Sequence, residues 1–222
     1  MPKLVDHAER RRELVWALWA VIHERGIDGV TFQAVAVEAG VSIGRIQHYF
    51  ESKQHLIRSG AQEMVAGAEK SYRELGSSGD PKAALATLLI QPVPTDASSR
   101  VGVSVWYAYL AKTTNDPWIR SFLAEASRGT VGEAERLLRR AGLSEVEAHD
   151  EAMRLVALSN GATQSVLVAG MDADGAVDLV TREIDRSVKA FTVCAADTGL
   201  ARSPDRTDAI PSPAGSSGAR KS

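Results

Sequence analysis

Between Glu38 and Lys53 the chain reads EAGVSIGRIQHYFESK, and its glycine and serine positions leave few choices of local fold. Gly40 closes an apolar helical run, FQAVAVEA, because glycine takes the left-handed conformation after a helix without steric cost. Ser42, two residues on, is a helix N-cap. Val41 and Ile46 then occupy the N′ and N4 positions of a hydrophobic staple. Two short helices joined by so tight a turn make a helix-turn-helix. Thr31 is placed to cap the first helix of the pair. Ile43, Ile46 and Phe50 are expected to share the buried face of the second. Gly44 lies inside that second helix, where it costs about 1 kcal/mol against alanine. Packing alone gives no reason to accept that cost.

The residues left facing outward are Gly44, Arg45, Gln47, His48 and Tyr49. They suit a DNA groove. The first residues of a recognition helix lie against base edges in the major groove. Arg45 can donate two hydrogen bonds to guanine, and Gln47 can pair with adenine. His48 and Tyr49 can donate to phosphates, which fix position without reading sequence. Lys53, Thr31 and Ser42 stand at helix starts, where free backbone N–H groups also favour a phosphate. The candidate DNA-binding set is therefore Thr31, Ser42, Gly44, Arg45, Gln47, His48, Tyr49 and Lys53.

Bulk charge contributes little to this reading. The formal net charge is −2, and over residues 1–60 Lys and Arg exceed Asp and Glu by one. Any DNA contact must come from a local patch. The single cysteine, Cys194, excludes an intrachain disulfide and suits a reducing cytoplasm as a small buried apolar side chain. The apolar stretch LVWALWAVI is too short to span a bilayer and is flanked by charges, so no membrane association is expected.

Helical periodicity runs through the rest of the chain, and no segment alternates in the manner of a strand. Leu14, Leu18 and Val21, widened by Val15, Trp19 and Ile22, stripe a first helix from about Asp6 to Arg25. A fourth helix runs from Lys53 to about Leu75. GSSGDP, from Gly76 to Pro81, is a break. Further helices follow: PKAALATLLI, VGVSVWYAYLAKTT, a segment after Asp116-Pro117 with a bend expected near Gly129 and Gly132, and two long final ones. The expected organisation is all-α. An N-terminal three-helix DNA-binding unit covers residues 1–52 and a connecting helix 53–75. A larger helical effector-binding and dimerisation domain covers 76–197. From Thr198 onward the composition is that of a disordered tail.

The run TFQAVAVEAGVSIGRIQHYFESKQHL, Thr31 to Leu56, resembles the DNA-binding domain of TetR-type transcriptional regulators. Val35-Ala36, Ala39-Gly40-Val41-Ser42, His48-Tyr49-Phe50 and Lys53 with Leu56 fill that family's pattern in order. Gln47 stands where the family usually has an aromatic, and Arg45 where Thr or Ala is common; both leave the operator sequence open. The resemblance implies a homodimer on a palindromic double-stranded operator, acting as a repressor and released by a small-molecule effector. DPWIRSFLAEA, after Asn115, also looks like the betaine-responsive branch of the family.

The same resemblance assigns the larger half to dimerisation and effector binding. Met153, Val156, Ala157, Asn160, Thr163, Gln164, Leu167 and Val168 occupy neighbouring faces of one long helix. Val177, Val180, Ile184, Val188 and Phe191 recur on the last one. Two such helices from each subunit are expected to form a four-helix seam. An effector pocket is expected where aromatics concentrate, at Trp106, Tyr107, Tyr109, Trp118 and Phe122, with Asn160 and Gln164 supplying polar groups from a buried helix. No phosphate loop, HExxH run or metal-ligand spacing appears, so neither an enzyme, a metal site nor a cofactor is expected. The competing reading is a helical ligand-binding or protein-interaction module with a non-functional helix-turn-helix.

Overall fold

Nine α-helices and one 3₁₀ turn make up the described residues, with no strand among them. The computed structural model describes residues 3–75 and 79–197, with side chains over 7–75 and 79–189. The expectations for residues 76–78, Phe191, Cys194 and the tail from 198 lie outside these residues. In order come α1 (Lys3–Arg25), the 3₁₀ turn (Ile27–Gly29), α2 (Phe32–Glu38), α3 (Ile43–Tyr49), α4 (Lys53–Leu75), α5 (Pro81–Ile90), α6 (Ala97–Lys112), α7 (Pro117–Arg140), α8 (Glu145–Val168) and α9 (Ala173–Asp197).

Local chemistry fixes most of these boundaries. Asp96 caps α6 and exchanges hydrogen bonds with Ser99, so that helix begins four residues before the apolar run that marks it in the sequence. Asp116 accepts from the backbone N–H groups of Trp118 and Ile119, and Pro117 occupies the first turn of α7. Ser144 and Glu147 form a capping box on α8. α7 runs unbroken through Gly129 and Gly132, where a bend was expected.

Two apolar cores share the chain. The first is built on Leu14, Val15, Leu18, Val21 and Ile22 of α1, with Val35, Ile46, Phe50, Leu56 and Ile57 from α2, α3 and α4. It also takes in Val105 and Tyr109 of α6 and Ile119 and Leu123 of α7. The second core joins α5, the C-terminal half of α7, α8 and α9, through Leu85, Leu89, Leu137, Leu138, Leu155, Val180 and Ile184. The helices after residue 80 are thus divided between two cores. Their first aromatic cluster belongs with the N-terminal helices.

α4 is shared in the same way. Its first half lies in the first core, while Tyr72 near its end donates to Glu133 of α7 at 2.6 Å. Burial pushes the Tyr72 hydroxyl up to about 12, and the bonded Glu133 adds to the shift. Between α8 and α9, Arg154 bonds Glu151 at 2.6 Å and Glu183 at 3.1 Å, and the Ser187 hydroxyl donates to Glu151.

Three helices meet closely at Gly60. Trp19 of α1 donates its indole N–H to the Gly60 carbonyl at 3.3 Å. Tyr109 of α6 donates its hydroxyl to the Ile57 carbonyl at 2.8 Å. A Cβ on Gly60 would collide with Tyr109 Oη and stand 2.6 Å from Leu18 Cδ2. Gly60→Ala is therefore expected to destabilise the protein by about 1–3 kcal/mol through overpacking, against a helix-propensity gain of about 1 kcal/mol. Urea unfolding measures the balance, and an equally stable or more stable variant would mean that α1 and α6 can draw apart here.

Candidate nucleic-acid interface

The turn between α2 and α3 is held as the sequence requires. Gly40 has φ +63°. Its N–H reaches the Val37 carbonyl at 3.2 Å, and the N–H of Val41 reaches Ala36 at 2.9 Å, which together close α2 in a Schellman motif. Thr31 accepts from the Ala34 N–H at 3.0 Å and Ser42 from the Arg45 N–H at 3.3 Å, so both cap the helices they precede. Ser52 does the same for α4, accepting from the His55 N–H at 3.0 Å.

α3 is anchored on its inner side by Ile46 and Phe50, both fully buried. Arg11 of α1 lies over the Phe50 ring, 5.3 Å from its centroid, and donates to Ser59 of α4 at 2.7 Å. One guanidinium thereby ties three helices together. On the outer side Gly44, Arg45, Gln47 and His48 are exposed, and Tyr49 is half-buried against the core. A Cβ on Gly44 would meet only Ser42 Oγ, at 4.0 Å. Nothing inside the chain demands a glycine there.

Two placements differ from the sequence reading. Ile43 does not join Ile46 and Phe50 in the core; it is 42% exposed. α3 has only seven residues, and its first lies outside the contact that buries the others. An exposed isoleucine beside Gly44 is an apolar group of the kind that packs on thymine methyl groups. Lys53, for its part, is exposed but not free: its ammonium donates to the Asp28 carbonyl at 3.1 Å.

Asp28 sits in the 3₁₀ turn and also takes Lys112, at the end of α6, on its carboxylate. The hydrogen bond from Lys112 holds the Asp28 carboxyl below the usual carboxylate range. This contact is complete at neutral pH and is lost as pH falls through that lowered value. A cleft of about 310 Å³ opens here, with Ile27, Ile57 and Ile119 as its apolar lining and Asp28, Lys53 and Lys112 among its charged groups. Arg58, one turn further along α4, lies 5.0 Å from the Trp118 ring centroid and 3.8 Å from Asp116. This junction carries no local signature, because its members lie far apart along the chain.

The residues expected to line an effector pocket are distributed differently from the expectation. Trp118 and Phe122 stack, centroids 5.1 Å apart and planes 7° from parallel, and with Trp106 pack against the first core. Tyr107 is half-buried, and burial raises its hydroxyl. Tyr109 is fully enclosed in that core. Asn160 and Gln164 are exposed on α8, whose buried residues belong to the second core. The expectation of a buried helix supplying these amides is thereby corrected.

Residues 15–59 match the family described as bacterial regulatory proteins, tetR family. Residues 81–189 match the C-terminal region described as BetI-type transcriptional repressor. The HTH-type transcriptional regulator BetI of Burkholderia mallei (strain NCTC 10229) is 27% identical over 194 residues, covering 84% of this chain and 97% of that protein. The HTH-type transcriptional regulator PksA of Bacillus subtilis (strain 168) is 35% identical over 116 residues, 50% of this chain; the match spans about half, 55%, of the length of that protein. A solved transcriptional regulator from Rhodococcus sp. Rha1 superposes with a TM-score of 0.72 at 23% identity, over 81% of this chain and 96% of that one. A regulator from Saccharomonospora viridis, solved in complex with choline, gives 0.72 at 26% identity, over 80% and 96%. The chain belongs to the TetR family of transcriptional regulators, and it is a DNA-binding protein of that kind. No helix among the described residues is long and apolar enough to cross a membrane.

Proposed function

We propose that the chain is a cytoplasmic repressor that binds a palindromic operator as a homodimer and releases it when a small cationic effector binds. The observation that carries the DNA contacts is the outer face of α3. Gly44 has open space beside it, next to exposed Arg45 and Gln47, on a helix pinned from behind by Ile46, Phe50 and Arg11. In this reading Arg45 and Gln47 read bases, Ile43 adds an apolar contact, and Thr31, Ser42, His48, Tyr49 and Lys53 hold phosphates. An ammonium has three donors, so Lys53 can serve a phosphate and the Asp28 carbonyl together.

A homodimer is supported by α8. Val146, Met153 and Val168 are 74%, 53% and 75% exposed, and Ala157, Asn160 and Gln164 lie on the same face between them. From Met153 to Val168 this stripe carries no charge. α9 differs: its apolar residues Val180 and Ile184 are spent inside the subunit, 0% and 1% exposed. The seam therefore rests on the outer face of α8, with Asn160 and Gln164 as interface amides and not as pocket groups.

The effector reading draws on the choline-bound relative and on Arg58. A quaternary ammonium is recognised over aromatic faces, and here Trp118 and Phe122 already offer a stacked face to a cation of the protein itself. A cationic effector at Trp118, Phe122, Trp106 and Tyr107 competes with Arg58 for that face, and Arg58 belongs to the helix that follows the DNA-reading motif. Tyr109 transmits from the core and does not line the site.

Three outcomes are expected. Arg45→Ala costs about 1–3 kcal/mol on the best operator and relaxes preference at one base pair per half-site, whereas Lys53→Ala weakens all sequences alike and makes the salt slope shallower by about one. Competition binding with single-base operator variants at several salt concentrations separates the two, and an unchanged base preference in Arg45→Ala would place α3 differently in the groove. Val168→Glu turns a dimer into a monomer in sedimentation without unfolding it; a monomeric wild-type protein at micromolar concentration removes the seam. Choline or betaine at saturation weakens operator binding by about 5–150-fold, the usual range of such coupling, and Trp118→Leu abolishes the response. Unaltered operator binding across a panel of quaternary ammonium compounds would reject the cationic effector.

A further inference from the structure

A cluster of aromatic and ionisable rings lies beside the DNA-reading face and extends beyond α3. His7, in the N-terminal part of α1, places its ring 4.5 Å from that of Tyr49, tilted by 48°. The His48 ring is 5.9 Å from His7 and meets it edge-on at 63°. His48 and Tyr49 are themselves 5.2 Å apart at 85°. Both histidines are exposed, and Tyr49 between them is half-buried. A histidine kept for packing would be enclosed and bonded within the protein. These two instead stand in the open against the last turn of α3, the helix end at which positive charge is favourable.

The neighbouring charges are largely committed elsewhere. On α1, Arg10 pairs with Glu13 at 3.0 Å and Arg11 is held by Phe50 and Ser59. On α4, His55 lies against the Phe50 ring, 5.8 Å away, with its Nδ1 accepting from the Glu51 N–H at 3.4 Å. Lys53 is engaged at Asp28. Exposed Arg45 on α3, the exposed Glu51 carboxylate that follows α3, and exposed Glu9 and Arg12 of α1 are the other charged groups on these elements.

We propose that His7 and His48 together form one phosphate-binding site, with the Tyr49 ring as the plate that sets their spacing, so that DNA binding is coupled to proton uptake. The DNA interface then extends from α3 onto the first turns of α1. The proposal rests on the DNA contacts assigned above to His48 and Tyr49. Two imidazolium N–H groups give charge-assisted hydrogen bonds to phosphate oxygens, stronger than those of neutral imidazoles. A phosphate in turn favours the protonated form of an adjacent imidazole. Affinity is therefore highest at low pH and declines as pH rises through the range, about 5 to 8, in which imidazoles change charge.

The test uses the intact protein and a labelled duplex taken from the DNA flanking its own gene, followed by fluorescence anisotropy from pH 6 to pH 8 at fixed salt. Phenylalanine at either histidine keeps a ring against Tyr49 and removes the charge. The wild type is expected to bind about tenfold or more tightly at pH 6 than at pH 8, with His7→Phe and His48→Phe each losing about 3–10-fold of that gain. At pH 6 each variant should also show a salt slope shallower by about one, while circular dichroism reports an intact fold. A His7→Phe protein that keeps the full pH gain and the full salt slope overturns the proposal. So does a double variant whose pH response equals that of the wild type. A wild type that binds DNA with no pH response also overturns it, while leaving the DNA-reading face in place. Absence of DNA binding at every pH would remove both.

Discussion

At Gly60 the backbone of α4 meets Tyr109 of α6 on one side and Leu18 and Trp19 of α1 on the other. The contact has no slack, because the space a single methyl group would need is already filled. Each polar group brought into it is paired, the indole N–H with the Gly60 carbonyl and the phenol with the Ile57 carbonyl. α4 then runs 23 residues to Leu75 and reaches the second core at Tyr72. At about 1.5 Å per residue it is a lever of roughly 35 Å. Close-packed cores switch between discrete arrangements and do not deform continuously. α6, α4 and α1 are thus packed against one another at this point, and α3 shares their core.

Two kinds of contact link the DNA-reading helices to α6 and α7, and their magnitudes separate them. Asp28 with Lys112 and Arg58 with Asp116 are ion pairs at the surface or near it. Such exposed pairs contribute little and weaken with salt. Tyr109, Val105, Ile119 and Leu123 are buried in the same core as α1 and α4. Fully burying one large apolar side chain is worth about 1.5–3 kcal/mol. Coupling between sites in regulators is typically about 1–3 kcal/mol. Packing alone can supply that amount, so the shared core is the stronger of the two links. Arg58 is the exception among the charges: its Nε is buried with no hydrogen-bond partner, and its guanidinium is compensated by the Trp118 ring and Asp116.

The helix-turn-helix was legible in the sequence because its determinants are local. Thr31, Gly40 and Ser42 act on backbone groups within five residues of themselves, and the structure places all three as caps or turn. Ile43 was misplaced for a tertiary reason. Helical periodicity puts it in phase with Ile46 and Phe50, but periodicity does not say how much of a seven-residue helix its neighbours cover. The division between cores escaped the reading for a similar reason. GSSGDP marks a break in the chain, yet α6 and α7 return across it to complete the core of the preceding helices. Asn160 and Gln164 illustrate a third limit. A helix with apolar residues on several faces reads as buried all round, whereas one of those faces is open in the single subunit.

That open face bears on how far apart two DNA-reading helices would be held. A dimer matched to two half-sites needs a rigid seam, since freedom at the seam is amplified along α4. The outer face of α8 meets this need through what lies behind it. Ala148, Ala152, Leu155 and Ala162 are buried on its inner side. Arg154 bonds Glu151 on its own helix and Glu183 on α9, and Ser187 donates back to Glu151. The Glu151 carboxyl, held below its usual range first by Arg154, stays ionised at neutral pH, so the network keeps its full set of charge-assisted bonds under the conditions in which DNA is read. Arg154, Glu151 and Ser187 therefore tie α8 to α9. A seam formed on α8 is backed by these ties to α9, whose Val180 and Ile184 are buried inside the subunit.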